Sequence, residues 1–589
     1  MQTALGVERS LTGRRWVWRH SDPRMAAALA QQLDLPEIVG RLLAARGLEP
    51  ETAALFLEPT LRALLPDPSV LLDMDAAASR LADAVQRCET VAVFADYDVD
   101  GACSGAVMVQ ALRMLGCTVF AYVPDRLTEG YGPNGPAIAG LVAKGATLII
   151  CVDCGIAAHE ALAGAGADVV VLDHHKAEGP PPLIVAAVNP NRLDCPSGLR
   201  QLCAAGVAFL AAIATQRELR RRGFFAGRAE PDLRELLDMV ALATVCDVVP
   251  LLGVNRALVV KGLEVLARRE RAGLAALMEL GGVRDLPSTH TLGFVLGPRI
   301  NAGGRISVPD LGLRMLLEND PIEARGMAER LDAVNRKRQE VEAGVLIAAM
   351  LQAEEQAAAG RAVFLLHDTA WHPGVVGIVA GRVRERFNRP ACVAGFSDGV
   401  AKGSGRSVPG LDLGAAVIAA RQMGLLIAGG GHAMAAGFTI DPARLPELHA
   451  HLDERLAAAR DMPGAAEQVI EGALTVRGAT TELAQSIARL APFGAGNEEP
   501  AFALSRARVV KSGRIGKEGA TIRAFLEGED GGRLKAICFR AKEGPLAEAL
   551  LAQGGGGGGA PLMLAGHLRA EIWNEQTSAG FFVTDAARI

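Results

Sequence analysis

The chain has 589 residues, of which 50% are hydrophobic, and its formal net charge is −5. A chain of this length exceeds one hydrophobic core and predicts several domains. The slightly acidic balance excludes a uniformly basic protein that coats nucleic acid, so any contact with DNA has to be local.

The first half of the chain predicts a helical segment followed by an α/β domain. Helix-forming residues dominate up to about residue 75, and apolar runs then alternate with helical stretches from about 85 to 190. Strands are predicted near 91–95, 118–123, 147–152, 168–172 and 184–188. This alternation is typical of a doubly wound parallel sheet. Residues 200 to 320 are predicted to be helical, and 322–356 to form one long connecting helix with an apolar stripe.

Several of these strands end in carboxylates or imidazoles. Asp96, Asp98 and Asp100 follow the first strand, Asp153 the third, Asp173, His174 and His175 the fourth, and Asp247 follows an apolar helix. Ligands of open α/β sheets lie beyond the carboxyl ends of the strands, so these side chains are predicted to line one site. Clustered carboxylates repel one another unless a divalent cation neutralises them. A helix N-cap explains any one of these acids as well, but four such segments favour a metal.

The second half predicts a smaller α/β lobe over about 360–460 and a small β-barrel after about 466. In the lobe, Ser404–Ser407 and Gly429–His432 are either tight turns or backbone amides that hold phosphates. Five short β segments predict the barrel: 504–511, 521–526, 534–539, 562–568 and 581–584. Its basic residues, Arg506, Arg508, Lys511, Arg514, Lys517 and Arg523, form either a solvated face or a groove for a phosphate backbone, with bases stacked on Phe525, Phe539 or Trp573. The run Gly554–Gly559 predicts a flexible loop.

Taken in order, the motifs resemble those of the DHH phosphoesterase superfamily. The matching segments are Asp96-Tyr-Asp-Val-Asp-Gly101, Val152-Asp-Cys-Gly155, Asp173-His-His175 and Ala243-Thr-Val-Cys-Asp247. Gly429-Gly-Gly-His432 resembles the signature of the accompanying DHHA1 domain. Gly297–Arg305 and Pro492–Asn497 are similar to segments of the RecJ family of single-strand-specific 5′→3′ exonucleases. The resemblance extends from about residue 50 to the end of the chain.

Together with the predicted elements, this resemblance implies a division into five segments. These are a helical N-terminal lead-in over 1–75, a DHH catalytic domain over 76–320, a connecting helix over 321–358, a DHHA1 domain over 359–462 and an OB-fold nucleic-acid-binding domain over 463–589. The fold class is therefore α/β, with a doubly wound DHH domain, a smaller α/β DHHA1 domain and a C-terminal OB-fold barrel.

The resemblance also implies the residues of the site. Two divalent cations, Mn²⁺ or Mg²⁺, are expected on Asp98, Asp100, Asp153, His174 and Asp247, with Asp153 as the bridge. Asp96 is either a further ligand or a residue that orients one. His175 is expected to contact the phosphate and stabilise charge in the transition state. The implied DNA contacts are Arg126, Tyr131, Arg299, Asn301, Arg305, Ser404, Arg406, Gly430, Gly431 and His432. A surface ion pair is the alternative for Arg126.

The implied activity is metal-dependent 5′→3′ degradation of single-stranded DNA to mononucleotides in DNA repair and recombination. A DHH/DHHA1 phosphodiesterase acting on short oligonucleotides or cyclic dinucleotides is the nearest alternative, and the C-terminal barrel favours the first. A non-catalytic DNA-binding scaffold is disfavoured because every acid and both histidines are present. A single-strand-binding protein and a RecQ-type helicase are the expected partners. With no signal sequence, no membrane-length apolar run and no second CxxC, we expect a cytoplasmic monomer without membrane contact.

Overall fold

The computed structural model describes all residues except 1, 126–127, 178, 398, 462–466, 517–518, 553–558 and 574–575. Among the predicted functional residues, Arg126 and Lys517 lie outside the described residues, as do the side chain of Trp573 and most of the six-glycine run. The chain divides into two compact units. The parallel-sheet unit contains Glu58–Gln339 and Pro492–Glu498, and the barrel unit contains Met1–Leu57, Glu340–Ala491 and Glu499–Ile589.

The N-terminal part of the barrel unit contains one strand and three helices. These are β1 (Arg15–Trp18), α1 (Pro23–Gln32), α2 (Glu37–Ala45) and α3 (Pro50–Leu57). Sequence analysis predicted only helix here. Strand β1 forms because it pairs in parallel with Glu467–Ile470, more than 400 residues later in the chain. The Trp16 side chain is fully buried and donates from Nε1 to Asp585 at 2.9 Å, which anchors β1.

The parallel-sheet unit is built on five parallel strands: β2 (Thr90–Ala95), β3 (Thr118–Tyr122), β4 (Leu148–Val152), β5 (Asp168–Leu172) and β6 (Ala186–Val188). Their spatial order is β3-β2-β4-β5-β6, so the chain moves outward in opposite directions from β2 and β4. This is the flavodoxin-like order, in which the crevice between the two central strands binds ligands. Apart from Thr90 and Asp168, the side chains of β2, β4 and β5 are buried, as expected for a sheet covered on both faces.

Helices cover this sheet and continue beyond it. They are α4 (Leu61–Leu64), α5 (Met74–Gln86), α6 (Val99–Met114), α7 (Gly135–Ala143), α8 (His159–Leu162), α9 (Ala204–Arg221), α10 (Leu237–Cys246), α11 (Gly253–Leu266), α12 (Ala272–Leu280), α13 (Gly297–Ile306), α14 (Leu311–Leu317) and α15 (Pro321–Ala358). A π-helical segment, Thr291–Leu296, leads into α13. The 38-residue helix α15 is the predicted connecting helix.

The barrel unit continues with a mixed sheet and its helices: β7 (Phe364–Asp368), α16 (Val376–Phe387), β8 (Ala391–Ser397), β9 (Val400–Arg406), α17 (Leu413–Gln422), β10 (Ala428–His432), β11 (Ala435–Ile440) and α18 (Leu445–Arg455). The strand order is β10-β11-β9-β8-β7, and only β7 and β8 are parallel. Strand β10, which carries the Gly-Gly-Gly-His sequence, therefore lies at an edge of this sheet.

The last part of the chain closes into a barrel. Its elements are β12 (Glu467–Ile470), β13 (Gly472–Leu474), α19 (Thr481–Ala488), β14 (Phe502–Ile515), β15 (Thr521–Gly528), β16 (Arg533–Cys538), α20 (Pro545–Leu551), β17 (Leu562–Trp573) and β18 (Gln576–Arg588). The pairing β14-β15-β16-β18-β17 returns to β14, which closes the barrel. The predicted fold class is confirmed. Across the described parts of the chain, no helix is long and apolar enough to cross a bilayer.

Candidate metal and phosphate site

The carboxylates that follow β2 and β4 lie at the point where the strand order of the sheet reverses. Asp98 begins α6 as its N-cap, and its Oδ1 accepts a hydrogen bond from the Gly101 N–H at 3.0 Å. Residue 101 must be glycine because a Cβ there would collide with the carbonyl oxygen of Asp96. The local chain therefore turns tightly and directs several carboxylates to one end of the sheet.

Asp100 is buried against the start of α9. Its two carboxylate oxygens accept hydrogen bonds from the backbone N–H groups of Ala204 and Ala205, at 2.7 and 2.8 Å. Burial raises the pKa of Asp100, and the nearby Asp98 carboxylate raises it further, against the opposing effect of His174. The amino terminus of α9 thus holds this carboxylate in place without neutralising its charge.

Asp153 is the most constrained acid of the site. It follows β4 with a left-handed backbone (φ 59°) and is 2% exposed. Its Oδ1 is buried and makes no hydrogen bond with the described residues. Burial raises the pKa of Asp153 well above its usual range, and the surrounding carboxylates, Asp100 first among them, raise it further. A buried carboxylate oxygen without a hydrogen bond, among other acids, favours either a proton or a bound cation.

His174 lies between these carboxylates. Its Nε2 is 3.3 Å from Asp153 Oδ1 and 3.7 Å from Asp100 Oδ2, while its Nδ1 is 3.7 Å from Asp247 Oδ2. Asp247 ends α10, and burial together with Asp100 and Asp98 raises its pKa to about 8. Asp247 joins the group although it comes from a helix rather than from a strand end.

His175 is held by a hydrogen-bonded chain that includes Tyr131. Its Nδ1 lies 2.8 Å from Asp173 Oδ1 and 3.1 Å from the Tyr131 hydroxyl, which also donates to the Asp153 carbonyl oxygen at 3.0 Å. Burial lowers the pKa of His175, but its hydrogen bond to the Asp173 carboxylate and the charge of that carboxylate outweigh burial and raise this pKa to about 9. A protonated imidazole is therefore favoured at neutral pH.

Asp173 organises this corner of the site from a fully buried position. It accepts hydrogen bonds from the backbone N–H groups of Ile156, His174 and His175 in addition to the His175 ring. Burial alone would raise the pKa of Asp173, but the His175 hydrogen bond and charge lower it below its usual value. Asp173 was predicted from the sequence to line the site, but its role in holding His175 was not predicted.

The donor atoms fit divalent cations. Three overlapping groups each bring ligand atoms within 4.8 Å of one another: Asp96, Asp98 and Asp153; Asp153, His174 and His175; and Asp100, His174 and Asp247. Asp153 and His174 each belong to two of these groups, which suits a bridging ligand between two ions. Carboxylate oxygens with imidazole nitrogen suit Mn²⁺ and Mg²⁺, and imidazole favours Mn²⁺. All six predicted metal ligands are thus brought together.

The predicted phosphate contacts near α13 have protein partners. Arg299 donates from Nε to Asp332 at 3.0 Å and from Nη1 to the Val295 carbonyl oxygen at 2.7 Å. Asn301 accepts from the backbone N–H of Val99 at 3.2 Å, which connects α13 to the loop that carries Asp98. The same helix carries Arg305. Both side chains thus have protein partners in this structure, and Asn301 also fixes the backbone next to Asp98.

In the barrel unit, four predicted phosphate contacts share one face of the mixed sheet. Ser404 and Arg406 alternate along β9, and across β11 they are in register with Gly430 and His432 of β10. The residues between them, Gly437 and Ala435, are small, so the surface is open. Gly431 has its backbone at φ 149°, where a Cβ would collide with the Ala435 carbonyl oxygen.

A further arginine that sequence analysis missed lies beside Arg406. The charge of Arg384 lowers the pKa of Arg406, second to the effect of burial. Arg384 Nε is buried and makes no hydrogen bond with the described residues. Helix α16 begins at the same place without a side-chain cap, and a Cβ on Gly377 would lie 3.3 Å from an Arg406 guanidinium nitrogen. Arg406 thus lies beside the uncapped start of α16 and within the electrostatic influence of Arg384, an arrangement suited to binding an anion.

Two of the predicted basic residues of the barrel have protein partners, while Arg508, Lys511 and Arg523 are exposed. Arg506 forms an ion pair with Glu529 at 2.6 Å, and Arg514 donates to the Gly519 and Ala541 carbonyl oxygens. Phe525 is 42% exposed and lies opposite Lys511 in the strand pair. Phe539 is 58% exposed and stacks on Phe582. An exposed aromatic beside a lysine matches the surfaces on which single-stranded bases stack.

Three family models match the chain and assign it to a class. They describe the DHH family N-terminal domain over residues 90–244, the DHHA1 domain over 345–458 and the RecJ OB domain over 470–585. The parallel sheet with acids and histidines at its switch point is therefore that of a DHH-family protein.

Individual relatives narrow this class. The chain is 34% identical over 584 residues to the single-stranded-DNA-specific exonuclease RecJ of Bacillus subtilis, covering 97% of this chain and 71% of that one. It is 38% identical to the RecJ of Dickeya dadantii, covering 85% and 88%. The crystal structure of Thermus thermophilus RecJ in complex with Mn²⁺ matches with a TM-score of 0.78 at 29% identity, covering 97% and 79%. The chain belongs to the RecJ family.

Proposed function

We propose that this chain is a metal-dependent exonuclease that degrades single-stranded DNA from its 5′ end to mononucleotides, in DNA repair and recombination. The observation that carries the proposal is the set of three overlapping acid and histidine groups at the switch point of the sheet, in a chain of the RecJ family. The Thermus thermophilus relative has been crystallised with Mn²⁺ and with Mg²⁺. Two ions of this kind are the cofactors proposed here.

Each residue of the metal site has a proposed role. Asp98, Asp100, His174 and Asp247 would hold the two ions, Asp153 would be shared between them, and Asp96 would be a further ligand or orient one. Bound divalent ions supply an activated water and neutralise charge on the phosphate. His175 contacts the phosphate as a cation, because Asp173 holds its ring and raises its pKa to about 9. Tyr131 orients His175 and Asp153 through its hydroxyl group.

The 5′ polarity requires a group that recognises the end of the strand. We assign this role to Ser404 and Arg406, with Arg384 and the start of α16, because they combine positive charge with uncapped N–H groups next to Arg406. Gly430, Gly431 and His432 are proposed to contact the strand from the same sheet. Arg126, Arg299, Asn301 and Arg305 remain proposed strand contacts of the parallel-sheet unit.

The barrel is proposed to hold the strand outside the catalytic site. An OB domain of the RecJ type and the exposed Phe525 and Phe539 support contact with single-stranded DNA. A single-strand-binding protein and a RecQ-type helicase remain the proposed partners. A cytoplasmic monomer remains the proposed state. The five predicted segments, 1–75, 76–320, 321–358, 359–462 and 463–589, likewise remain a proposal for domain boundaries.

The deciding experiment is product analysis on labelled DNA. Single strands labelled at the 5′ or the 3′ end, the matched duplex and a cyclic dinucleotide are incubated with Mn²⁺, Mg²⁺ or EDTA. We expect labelled mononucleotide at once from 5′-labelled single strands, and only late from 3′-labelled strands. EDTA and Asp153→Asn should abolish release, whereas Asp168→Asn, at the opposite end of β5 and paired with Arg80, should not.

Three outcomes would contradict the proposal, in whole or in part. Intact long strands with a cleaved dinucleotide would indicate a phosphodiesterase for small substrates. Binding of single strands without cleavage under any metal condition would indicate a scaffold. Immediate release from the 3′ label would leave the metal site in place but refute the proposed polarity.

A further inference from the structure

The segment Pro492–Glu498 belongs to the parallel-sheet unit although its neighbours in the chain do not. Helix α19 precedes it and strand β14 follows it, and both belong to the barrel unit. We call this segment the 492–498 turn. Its sequence is similar to a segment of the RecJ family, but the proposed catalytic steps give it no role. Its contacts assign one.

The turn is closed by its own hydrogen bonds. The backbone groups of Gly494 and Asn497 bond reciprocally at 2.9 and 3.1 Å. The Asn497 side chain, fully buried, donates to the Pro492 carbonyl oxygen at 2.9 Å, and the buried Arg256 guanidinium reaches the same oxygen at 3.4 Å. Buried amide and guanidinium donors on one carbonyl make this a rigid element.

The turn contacts the loop that follows Asp247. The Leu251 N–H donates to the Ala495 carbonyl oxygen at 2.8 Å. Gly496 has a left-handed backbone (φ 70°), and a Cβ there would lie 3.1 Å from Pro250 Cβ. The loop itself is strained, because Val248 is a β-branched residue with φ 58°. A strained loop persists only where its surroundings hold it, and the turn supplies part of that support.

The same region connects to the support of Asp100. The side chain of Asn255 is fully buried and donates to two carbonyl oxygens, that of Pro250 at 3.0 Å and that of Gln201 at 2.7 Å. Gln201 lies three residues before Ala204, whose N–H holds Asp100 at 2.7 Å. Asn255 therefore links the loop that follows Asp247 to the segment that leads into α9, whose first N–H groups hold Asp100.

The opposite side of the turn is attached through Thr289. Its hydroxyl donates to the Phe493 carbonyl oxygen at 2.7 Å. Thr289 lies two residues before the π-helical segment, and within that segment the Leu292 carbonyl oxygen accepts a hydrogen bond from the Cys246 thiol at 3.5 Å. The turn thus contacts the loop that follows Asp247. Through Thr289 it also contacts the start of the π-helical segment, which is bonded to Cys246, the residue before Asp247.

We propose that the 492–498 turn is a clamp that positions Asp247 for metal binding. Through Asn255 it also positions the backbone N–H groups of Ala204 and Ala205, which hold Asp100. Neither Thr289 nor the turn contributes a side chain to the three candidate ligand groups, so these are positioning residues. Elements of this kind tune metal affinity by fixing the orientation of the ligands. This inference rests on the metal site of the proposed function.

The test uses the full-length protein and two variants. Thr289→Val removes the hydroxyl that holds Phe493, and Gly496→Ala places a methyl group against Pro250 on a left-handed backbone. The control is Thr215→Val, which makes the same side-chain change and removes a hydroxyl bond of similar length, within α9, to the Ala211 carbonyl oxygen at 2.8 Å. Thr215 lies about 16 Å along α9 from Ala204.

Mn²⁺ binding to the metal-free proteins is measured from the electron paramagnetic resonance signal of free Mn²⁺. Thermal unfolding in EDTA is measured in parallel. We expect the weaker of the two Mn²⁺ dissociation constants to rise about tenfold or more in both variants. The control should bind Mn²⁺ as the unchanged protein does. Activity lost at low Mn²⁺ should return at high Mn²⁺.

The outcomes separate the clamp from the metal site itself. Unchanged Mn²⁺ affinity in folded Thr289→Val and Gly496→Ala proteins would overturn the clamp. The same holds if Thr215→Val weakens Mn²⁺ binding equally, because the effect would then be one of general stability. If the unchanged protein binds no Mn²⁺, the proposed metal site fails, and the clamp fails with it. If Gly496→Ala does not fold, Thr289→Val decides alone.

Discussion

Replacing Asp153 by asparagine should stabilise the metal-free protein while it removes activity. Asp153 is 2% exposed, and its Oδ1 makes no hydrogen bond with the described residues. Its pKa is raised by burial and by Asp100, Asp98 and Asp96. The folded protein must therefore bury this charge or take up a proton that the unfolded chain does not hold. Asparagine has neither cost, because it carries no charge.

The magnitude follows from the repulsion between one buried carboxylate and its like-charged neighbours, which asparagine removes, about 1–3 kcal/mol. For a unit of this size, an increase of that amount in the free energy of unfolding raises the melting temperature by roughly 2–6 °C. The pKa of Asp153 is higher in the folded than in the unfolded state, so its cost is absent below the unfolded pKa and grows as the pH rises. The gain from Asp153→Asn should therefore be larger at pH 8 than at pH 5.

Thermal and urea unfolding of both proteins in EDTA at pH 5 and pH 8 measure this gain. Added Mn²⁺ should stabilise the unchanged protein more than the variant. Exonuclease activity should fall at least about 100-fold, because several kcal/mol of charge stabilisation are lost. Asp173→Asn is the matched control with the opposite sign: its carboxylate accepts hydrogen bonds from three backbone N–H groups and the His175 ring.

Asp173→Asn should destabilise the metal-free protein, by about 2–4 kcal/mol, since its pKa is lowered on folding and charged hydrogen bonds are lost. The reasoning is refuted if Asp153→Asn lowers the melting temperature in EDTA at pH 8, or if its gain does not grow from pH 5 to pH 8. It is equally refuted if both variants shift stability in the same direction.

Three further predictions concern other parts of the molecule. Arg406→Lys keeps the charge but loses the planar fork, so KM for 5′-phosphorylated strands should rise about tenfold, while KM for 5′-hydroxyl strands should change little. Tyr131→Phe removes the hydroxyl that bonds the Asp153 carbonyl and His175, and kcat should fall about tenfold without a change in circular dichroism. Trp16→Phe leaves the buried Asp585 without its indole donor, and calorimetry should show the barrel unit destabilised by about 1–3 kcal/mol.

Several elements are predictable because their signals are local. The apolar runs that became β2, β4 and β5 each end in an acid, and that pattern stands within about ten residues of chain. The long helix and the five barrel strands were also visible as continuous patterns. Strand β1 was not, because its four residues become a strand only through pairing with Glu467–Ile470.

Side-chain partners were predictable only in part. Asn301 and Arg299 were expected at phosphates, yet they bond to Val99 and Asp332. No sequence pattern indicated a role for Arg384, because its effect on Arg406 depends on the packing of α16 against β9. Contacts of this kind depend on how helices and strands pack, and short sequence patterns do not encode packing.

By itself, the sequence determined the chemical inventory: which carboxylates and imidazoles follow strands, and in what order. Only the tertiary structure decided which of them meet. The strand order β3-β2-β4-β5-β6 puts β2 beside β4, so Asp98 and Asp153 share one crevice, while α10 brings Asp247 to His174 at 3.7 Å. The physical reason is that a metal site requires ligand atoms within a few ångströms, and only packing around a common core brings distant segments that close.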